Sequence, residues 1–80
     1  MIVTIEISYY PLTADYNLAI QNFIDQLAEK DVLLEIGQMS TLITGDYQVV
    51  MDILNKTMGE IMEQYPSVFN LKISNSCPIK

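Results

Sequence analysis

Two clusters of side chains in this sequence carry the aromatic faces and hydrogen-bonding groups that recognise small molecules. Tyr10, which precedes a proline, has a ring that could stack on a heterocycle or face a cation. Ser40 and Thr41, with Gln38 nearby, carry hydroxyls and an amide that can both donate and accept hydrogen bonds. The simpler interpretation is a tyrosine at a strand end and ordinary turn chemistry, and the sequence leaves both interpretations open.

Two carboxylates, those of Glu6 and Glu35, could accept hydrogen bonds from a ligand or balance a positively charged ring. Their simpler interpretation is a pair of solvated strand side chains. A carboxylate pair can also do acid–base catalysis, but nothing predicts a water-excluded pocket around these two. The chain has no histidine, the usual proton carrier at neutral pH. The sequence therefore favours a binding protein over an enzyme.

The composition argues against nucleic acid as a partner and favours self-association. Ten acidic and four basic side chains give a net charge of -6, whereas phosphate backbones are bound by clusters of Lys and Arg. Half of the 80 residues are hydrophobic. A chain of this length buries only about 60–65% of the surface that its unfolded form exposes, so burial of further apolar surface in an oligomer is expected.

Targeting signals and metal-binding motifs are missing from the sequence. Cys77 is the one cysteine, so no internal disulfide or CxxC site can form, and we interpret it as a bystander thiol. Without histidine, no metal or cofactor is predicted. Met1 leads straight into a strand-like run, and no apolar run approaches the roughly 20 residues that span a bilayer. The predicted location is the cytoplasm, with no membrane insertion.

Alternation of apolar and polar residues predicts four strands, at residues 2–10, 32–36, 41–44 and 69–73. The first is expected to end at Pro11, and a hairpin turn is expected at residues 37–40. The third strand could face either way, because Leu42 and Ile43 are both apolar. Gly45 is expected to break that strand.

Helical spacing of apolar residues predicts two helices between these strands. Thr13 or Asp15 can cap the first helix, and its apolar stripe is expected to be Tyr16, Ile20, Phe23, Ile24 and Leu27. Asp46 can cap the second helix, which ends before Pro66. Gly59 is unfavourable inside this helix, and close packing against the sheet is expected to explain it.

The element order β-α-β-β-α-β is that of the ferredoxin-like α+β sandwich. Right-handed crossovers place both helices on one face of an antiparallel sheet with strand order 4-1-3-2. The odd-numbered residues of the first and last strands then face the helices. Residues 1–75 are predicted to form a single domain, followed by a loose C-terminal tail at residues 76–80.

The opposite face of the predicted sheet is neither clearly core-like nor clearly solvent-like. It carries Ile2, Thr4, Glu6, Leu33, Glu35, Asn70 and Lys72. The centres of the first and last strands are expected to bring Glu6 close to Lys72. Such a mixed surface suits a second sheet packed against it, and a homodimer or homotetramer is predicted.

Three short motifs make the chain resemble the YkoF-like family of thiamine- and hydroxymethylpyrimidine-binding proteins and the related small thiamine-binding domains. They are Tyr10-Pro11-Leu12 after the first strand, Met39-Ser40-Thr41 at the start of the third, and Gly45-Asp46 before the second helix. The resemblance extends over residues 2–74. YkoF-like proteins proper carry two such domains in tandem, whereas this chain has one. Two or four copies of this chain would therefore have to assemble to provide the paired domains that a tandem protein has in one chain.

The resemblance implies a ferredoxin-like domain that binds thiamine or hydroxymethylpyrimidine without chemistry and assembles through its sheet faces. In the implied site, Tyr10 stacks on the ligand or walls it. Ser40 and Thr41, beside Gln38, hydrogen-bond the pyrimidine edge, and Glu35 balances charge. The alternative from a different class is an oligomerisation or regulatory module that uses the same sheet face for a protein partner and binds no vitamin.

Overall fold

Two helices and four strands follow one another in the predicted order within residues 1–76, which the computed structural model describes. The expectations for Cys77 and for residues 78–80 of the predicted C-terminal tail lie outside the described residues. The elements are β1 (Ile2–Pro11), α1 (Tyr16–Ala28), β2 (Leu33–Ile36), β3 (Thr41–Asp46), α2 (Tyr47–Gln64) and β4 (Ser67–Ser74).

The four strands form one antiparallel sheet in the order β2-β3-β1-β4, which is the predicted order 4-1-3-2 read from the other edge. β1 is the long inner strand, with β3 on one side and β4 on the other. The ferredoxin-like fold is therefore confirmed. No helix in residues 1–76 is both long and apolar enough to cross a membrane.

The core lies between one face of the sheet and both helices. On β1, Val3, Ile5 and Ile7 are each only 1% exposed, as the alternation predicted. They pack in one cluster with Phe23 and Leu27 of α1 and with residues of β3 and α2, namely Ile43, Val50, Leu54 and Ile61. Burial of these side chains from both helices shows that α1 and α2 cover the same face of the sheet.

The apolar stripe expected on α1 is partly wrong. Phe23 and Leu27 are buried, but the third buried position is Ala19, whereas Tyr16 and Ile20 are 54% and 38% exposed. Residues four apart lie above one another on a helix, so Ala19 continues the row of Phe23 and Leu27 towards the N-terminus. Tyr16 is the first residue of the helix and Ile20 lies at the margin of the core.

The expected cap of α1 is also absent. Asp15 occupies the N-cap position but makes no side-chain capping hydrogen bond. Thr13 Oγ1 accepts a hydrogen bond of 3.4 Å from the backbone N–H of Asp15, but Thr13 lies two residues before the N-cap position and does not cap the helix.

The odd-numbered residues of the last strand face the helices as predicted but are only partly covered. Leu71 and Ile73 share the helix-facing side of the sheet with their β1 partners Ile7 and Ile5, yet they are 39% and 51% exposed. β4 is an edge strand, so the helices cover it less completely than they cover β1.

Gly45 does not break β3, contrary to the sequence-based prediction. The strand continues to Asp46, and Gly45 pairs with Val3 of β1. A Cβ at position 45 would lie 3.1 Å from Val50 Cγ2 and 3.5 Å from Val32 Cγ1. Glycine is therefore needed for the close approach of neighbouring side chains to the strand, and not for a change of chain direction.

Asp46 caps α2 as predicted. Its side chain accepts hydrogen bonds from the backbone N–H groups of Gln48, at 3.2 Å, and Val49, at 3.5 Å. The Val49 hydrogen bond, aided by the N-terminal amine at 3.4 Å and by Gln48, lowers the pKa of the Asp46 carboxyl below its ordinary 3.8 despite some desolvation.

Replacement of this cap should give a stability difference that depends on pH. A carboxyl with a lowered pKa in the folded state stabilises the fold above its unfolded pKa, and this contribution is lost as the pH falls through the folded value. Asp46→Ala should therefore lower the melting temperature at neutral pH, and the gap to the wild type should narrow as the pH falls below 3.8. Thermal melts followed by circular dichroism measure this gap, and a gap that stays constant into acid would contradict a cap by the charged carboxylate.

Gly59 is not explained by close packing against the sheet, because a Cβ at this position would meet no atom within 4 Å. It lies inside α2, where glycine costs more backbone entropy than alanine. Gly59→Ala should therefore raise the free energy of unfolding by about 0.5–1 kcal/mol, as measured by urea denaturation.

The matched change Gly45→Ala should have the opposite sign, because its Cβ would crowd Val50 at 3.1 Å. If Gly59→Ala instead destabilised the protein, the open space beside Gly59 would have to be filled in solution by something that the single chain does not supply.

Candidate functional site

The turn between β2 and β3 folds towards α1 and encloses a cleft of about 130 Å³ on the helix side of the sheet. We call it the helix-side cleft. Its polar lining comes from Gln38, Ser40 and Thr41, and its apolar lining includes Tyr9, Ile7, Ile20, Ile24, Phe23, Ile36 and Met39. Three of the five predicted site residues therefore lie together.

The turn that forms one wall of the cleft is the predicted hairpin turn at residues 37–40. The Gly37 backbone N–H donates to the Ser40 carbonyl oxygen at 2.9 Å and closes the turn. A Cβ at Gly37 would lie only 3.1 Å from that same oxygen, so glycine allows the two ends of the turn to approach closely. The side chains of Gln38 and Met39 in this turn are exposed to solvent, and Met39 at the tip is 89% exposed.

The hydroxyl of Thr41 is the polar group best placed inside the cleft. Thr41 is 7% exposed and stands in register with Ile7 and Ile36, which places it on the helix-facing side of the sheet. The Thr41 hydroxyl makes no side-chain hydrogen bond within residues 1–76. In the same residues every fully buried side-chain N or O atom has a hydrogen-bond partner, so the Thr41 hydroxyl oxygen is not fully buried. Thr41 lines the cleft, so a ligand placed there could reach its hydroxyl.

Ser40 and Gln38 stand at the mouth of the cleft. Ser40 is half-buried, and its Oγ donates to Glu6 Oε2 at 3.0 Å, so this hydroxyl is already engaged. Gln38 is exposed on the turn, where its amide can reach the mouth from the solvent side. The cleft therefore presents one free hydroxyl inside and an amide and an engaged hydroxyl at its rim.

An aromatic cluster supports the apolar side of the cleft. Tyr9 and Phe69 stack with their ring centroids 4.5 Å apart and an interplanar angle of 7°, and Phe23 is tilted against both at 5.3 Å. Ser67 Oγ donates its one hydrogen to the Tyr65 carbonyl oxygen at 3.0 Å. The Tyr9 hydroxyl, 2.8 Å from Ser67 Oγ, must therefore be the donor in that pair. The Tyr9 ring is fixed at both its face and its hydroxyl, which makes it a rigid wall.

The sequence-based prediction chose Tyr10, and not its neighbour Tyr9, as the aromatic site residue. The signal that could have found it is parity, since Tyr9 shares the odd positions of β1 with Ile5 and Ile7 and so faces the helices. Tyr10 instead pairs with Val68 and lies 53% exposed on the other face of the sheet. The structure does not bring Tyr10 to the cleft.

Glu35 also lies on the face of the sheet that is turned away from the helices, which we call the outer face. It stands beside Leu42, and Leu42 in turn stands beside Glu6. Glu35, Glu6 and Ser40 line a depression of about 160 Å³ there, separate from the helix-side cleft. The carboxylate expected to balance a ligand charge is therefore across the sheet from the hydroxyl of Thr41.

The register of β1 and β4 confirms the expected proximity of Glu6 and Lys72. The two residues are direct cross-strand partners, with Lys72 Nζ 3.9 Å from Glu6 Oε1. The Glu6 carboxylate thus faces Lys72 with one oxygen and Ser40 with the other. Within residues 1–76 no group of three or more His, Cys, Asp or Glu side chains could hold a metal ion.

Larger depressions lie on the outer face and at its end, with volumes of about 360, 400 and 570 Å³. The largest is lined by Ile2, Leu33, Val49 and the carboxylates of Asp31 and Asp46 among others. All three are more open to solvent than the helix-side cleft. They are wider than the helix-side cleft, which is itself half open, and a partner could cover them.

Comparison with known proteins gives one family and several solved structures. A family model described as thiamine-binding protein matches residues 5–75. No curated protein gives a significant match. Thirteen chains of solved structures match significantly, and three of them are described below.

A protein of Streptococcus pneumoniae has a TM-score of 0.87 at 22% identity, covering 92% of this chain and 86% of its own. A protein of Thermotoga maritima, whose proposed role is thiamine biosynthesis or salvage, has a TM-score of 0.85 at 20% identity, covering 95% and 85%. A domain of unknown function from Bacillus cereus has a TM-score of 0.82 at 21% identity, covering 100% and 83%. These structures show that the fold is shared over nearly the whole chain.

Proposed function

Because this chain belongs to the thiamine-binding protein family, we propose that it binds thiamine or its hydroxymethylpyrimidine precursor and does no chemistry on it. The match to the family model over residues 5–75 carries the proposal. Support also comes from the helix-side cleft, where a free hydroxyl, an amide and a rigid aromatic wall meet. The description of the family as binding proteins agrees with a role that is not catalytic.

In the proposed complex the pyrimidine ring enters the helix-side cleft beside Tyr9. Its nitrogen-bearing edge meets the Thr41 hydroxyl, which can donate and accept, while Gln38 and Ser40 close the mouth. The apolar side chains of α1 cover the ring faces. Aromatic rings gain from such contacts because their burial removes apolar surface from water.

The size of the cleft limits which part of the ligand it can hold. Its volume of about 130 Å³ corresponds to roughly four water molecules at about 30 Å³ each. Pockets for larger ligands usually measure about 300–1,000 Å³. We therefore place the pyrimidine ring inside and leave the second ring of thiamine outside, against the exposed turn.

Tyr10 and Glu35 take a different role in this proposal. Both lie on the outer face. The apolar side chains of Ile2, Leu33 and Val68 on the same face are 53%, 73% and 47% exposed, so this face carries uncovered apolar surface. We propose that this face packs against the same face of a second copy in a homodimer or homotetramer. A monomer by sedimentation at high protein concentration would remove this part of the proposal.

Thermal melts with thiamine, thiamine pyrophosphate and hydroxymethylpyrimidine test the binding proposal. At 100 times its dissociation constant a ligand adds about 2.7 kcal/mol to the stability of the folded state, which raises the melting temperature of a domain of this size by about ten degrees or more. The bound compound should be recovered unchanged. If none of the three shifts the transition, the oligomerisation or regulatory module without a vitamin ligand becomes the better account.

A further inference from the structure

The carboxylate of Glu6 binds a residue of the turn that borders the helix-side cleft. Its side chain lies on the outer face, in the middle of the inner strand β1. It accepts a hydrogen bond of 3.0 Å from Ser40 Oγ, 34 positions away along the chain. Ser40 lines both the helix-side cleft and the depression on the outer face.

The turn that Ser40 ends has few other contacts to hold it. Residues 36–39 are all exposed. Among residues 37–40, the described part of the chain shows one backbone hydrogen bond, from Gly37 to Ser40, and one side-chain hydrogen bond, from Ser40 to Glu6. The first closes the turn on itself, so the second is what ties the turn to the centre of the sheet.

The position of Ser40 makes this tie relevant to the ligand. Ser40 directly precedes Thr41, whose free hydroxyl lies inside the cleft, and it follows the exposed residues that form the mouth. A hydrogen bond to an ionised carboxylate is stronger than one between neutral groups. A shift of Ser40 would move the cleft wall and the proposed ligand contacts together.

We propose that Glu6 is a positioning residue for ligand binding, which holds the turn at residues 37–40 in its binding arrangement from the opposite face of the sheet. The inference rests on the proposed function. Glu6 lines no part of the helix-side cleft and so touches no ligand there. Its effect on affinity passes through Ser40.

Lys72 provides a control for the charge of Glu6. Its Nζ lies 3.9 Å from the other carboxylate oxygen, and its side chain is 79% exposed. An exposed pair of this kind contributes little. Lys72→Met removes it while leaving the hydrogen bond from Ser40 in place.

A double-mutant cycle with hydroxymethylpyrimidine, followed by calorimetric titration, tests the proposal. Glu6→Ala should weaken binding about fivefold or more, whereas Glu6→Gln, whose amide oxygen can still accept from Ser40, should stay within about twofold of the wild type. Lys72→Met should also stay within about twofold. In a Ser40→Ala background, Glu6→Ala should have no further effect, because the partner through which it acts is gone.

Hydrogen exchange without ligand provides the second measurement. The Gly37 amide, whose hydrogen bond to the Ser40 carbonyl oxygen closes the turn, should exchange faster in Glu6→Ala than in the wild type. Amides in the middle of α2 should keep their protection, which also shows that the variant is folded. Affinity that Glu6→Ala leaves unchanged, additive effects of Glu6→Ala and Ser40→Ala, or unchanged exchange of the turn would each overturn the role of Glu6 alone. Absence of binding by the wild type would overturn the proposed function and with it the ligand role of Glu6.

Discussion

Replacing Ser40 with alanine and Thr41 with valine together is expected to lower the affinity for hydroxymethylpyrimidine about tenfold or more. Each lost hydrogen bond should cost about 0.5–1.5 kcal/mol, and loss of the Ser40 hydroxyl also releases the turn from Glu6. Thr41 is only 7% exposed, and valine keeps its shape and its β-branched Cβ. The fold should therefore survive, and calorimetric titration of wild type and variant measures the effect.

A matched control for the double variant is Thr44→Val. Thr44 lies two residues after Leu42 on the outer face of β3, in register with Thr4. The variant loses a threonine hydroxyl that contacts Thr4 Oγ1 at 3.0 Å and lies outside the helix-side cleft. Its affinity should stay within about twofold of the wild type, as is usual for a change away from the binding surface. Wild-type affinity in a folded Ser40→Ala, Thr41→Val variant would move the binding site elsewhere.

Leu54→Ala is expected to remove a large part of the stability of the fold. Leu54 is completely buried in the core from the middle of α2, and deletion of such a side chain costs about 2–5 kcal/mol. A chain of 80 residues has a total stability of only about 4–12 kcal/mol, at about 0.05–0.15 kcal/mol per residue. The melting temperature should fall by roughly ten degrees or more.

Leu18→Ala is the matched control, because Leu18 is also a helical leucine but is 62% exposed on α1. This change should alter the free energy of unfolding by no more than about 0.5 kcal/mol, and urea denaturation of both variants measures the difference. Equal losses for the two variants would mean that α1 buries Leu18 against something in solution, such as a second copy of the chain.

The sheet was predictable from the sequence because period-two alternation identifies the buried face of a strand directly. Val3, Ile5 and Ile7 alternate with polar residues, and the structure buries all three. The register of β1 with β4 followed from the strand order, and it places Glu6 opposite Lys72 as expected.

The role of Gly45 was not predictable, because a glycine beside a helix cap has the same local pattern whether it ends a strand or makes room for a neighbour. The approach of Val50 and Val32 decides between these roles, and both contacts are made after the chain has folded back on itself. The facing of β3 was open for a similar reason. Ile43 is completely buried while Leu42 is half-buried on the outer face, and two adjacent apolar residues cannot indicate which of them points to the core.

The sequence predicted which of the candidate residues lie together only for those in the hairpin turn. Gln38, Ser40 and Thr41 were found because a hairpin turn keeps neighbouring residues together whatever the rest of the fold does. Tyr10 and Glu35 do not line the cleft, because neighbours along a strand point to opposite faces. The alternation had already placed Glu35 on the face away from the helices.

The most direct test of the account is the map of backbone amide signals that move when hydroxymethylpyrimidine is titrated into isotope-labelled protein. The account predicts that the largest changes cluster at residues 37–41, with smaller changes at Tyr9 and at Phe23, which line the same cleft. Outer-face residues such as Leu33 and Asn70 should change little. Changes centred on the outer face, or no changes at any ligand concentration, would contradict a thiamine-related ligand in the helix-side cleft.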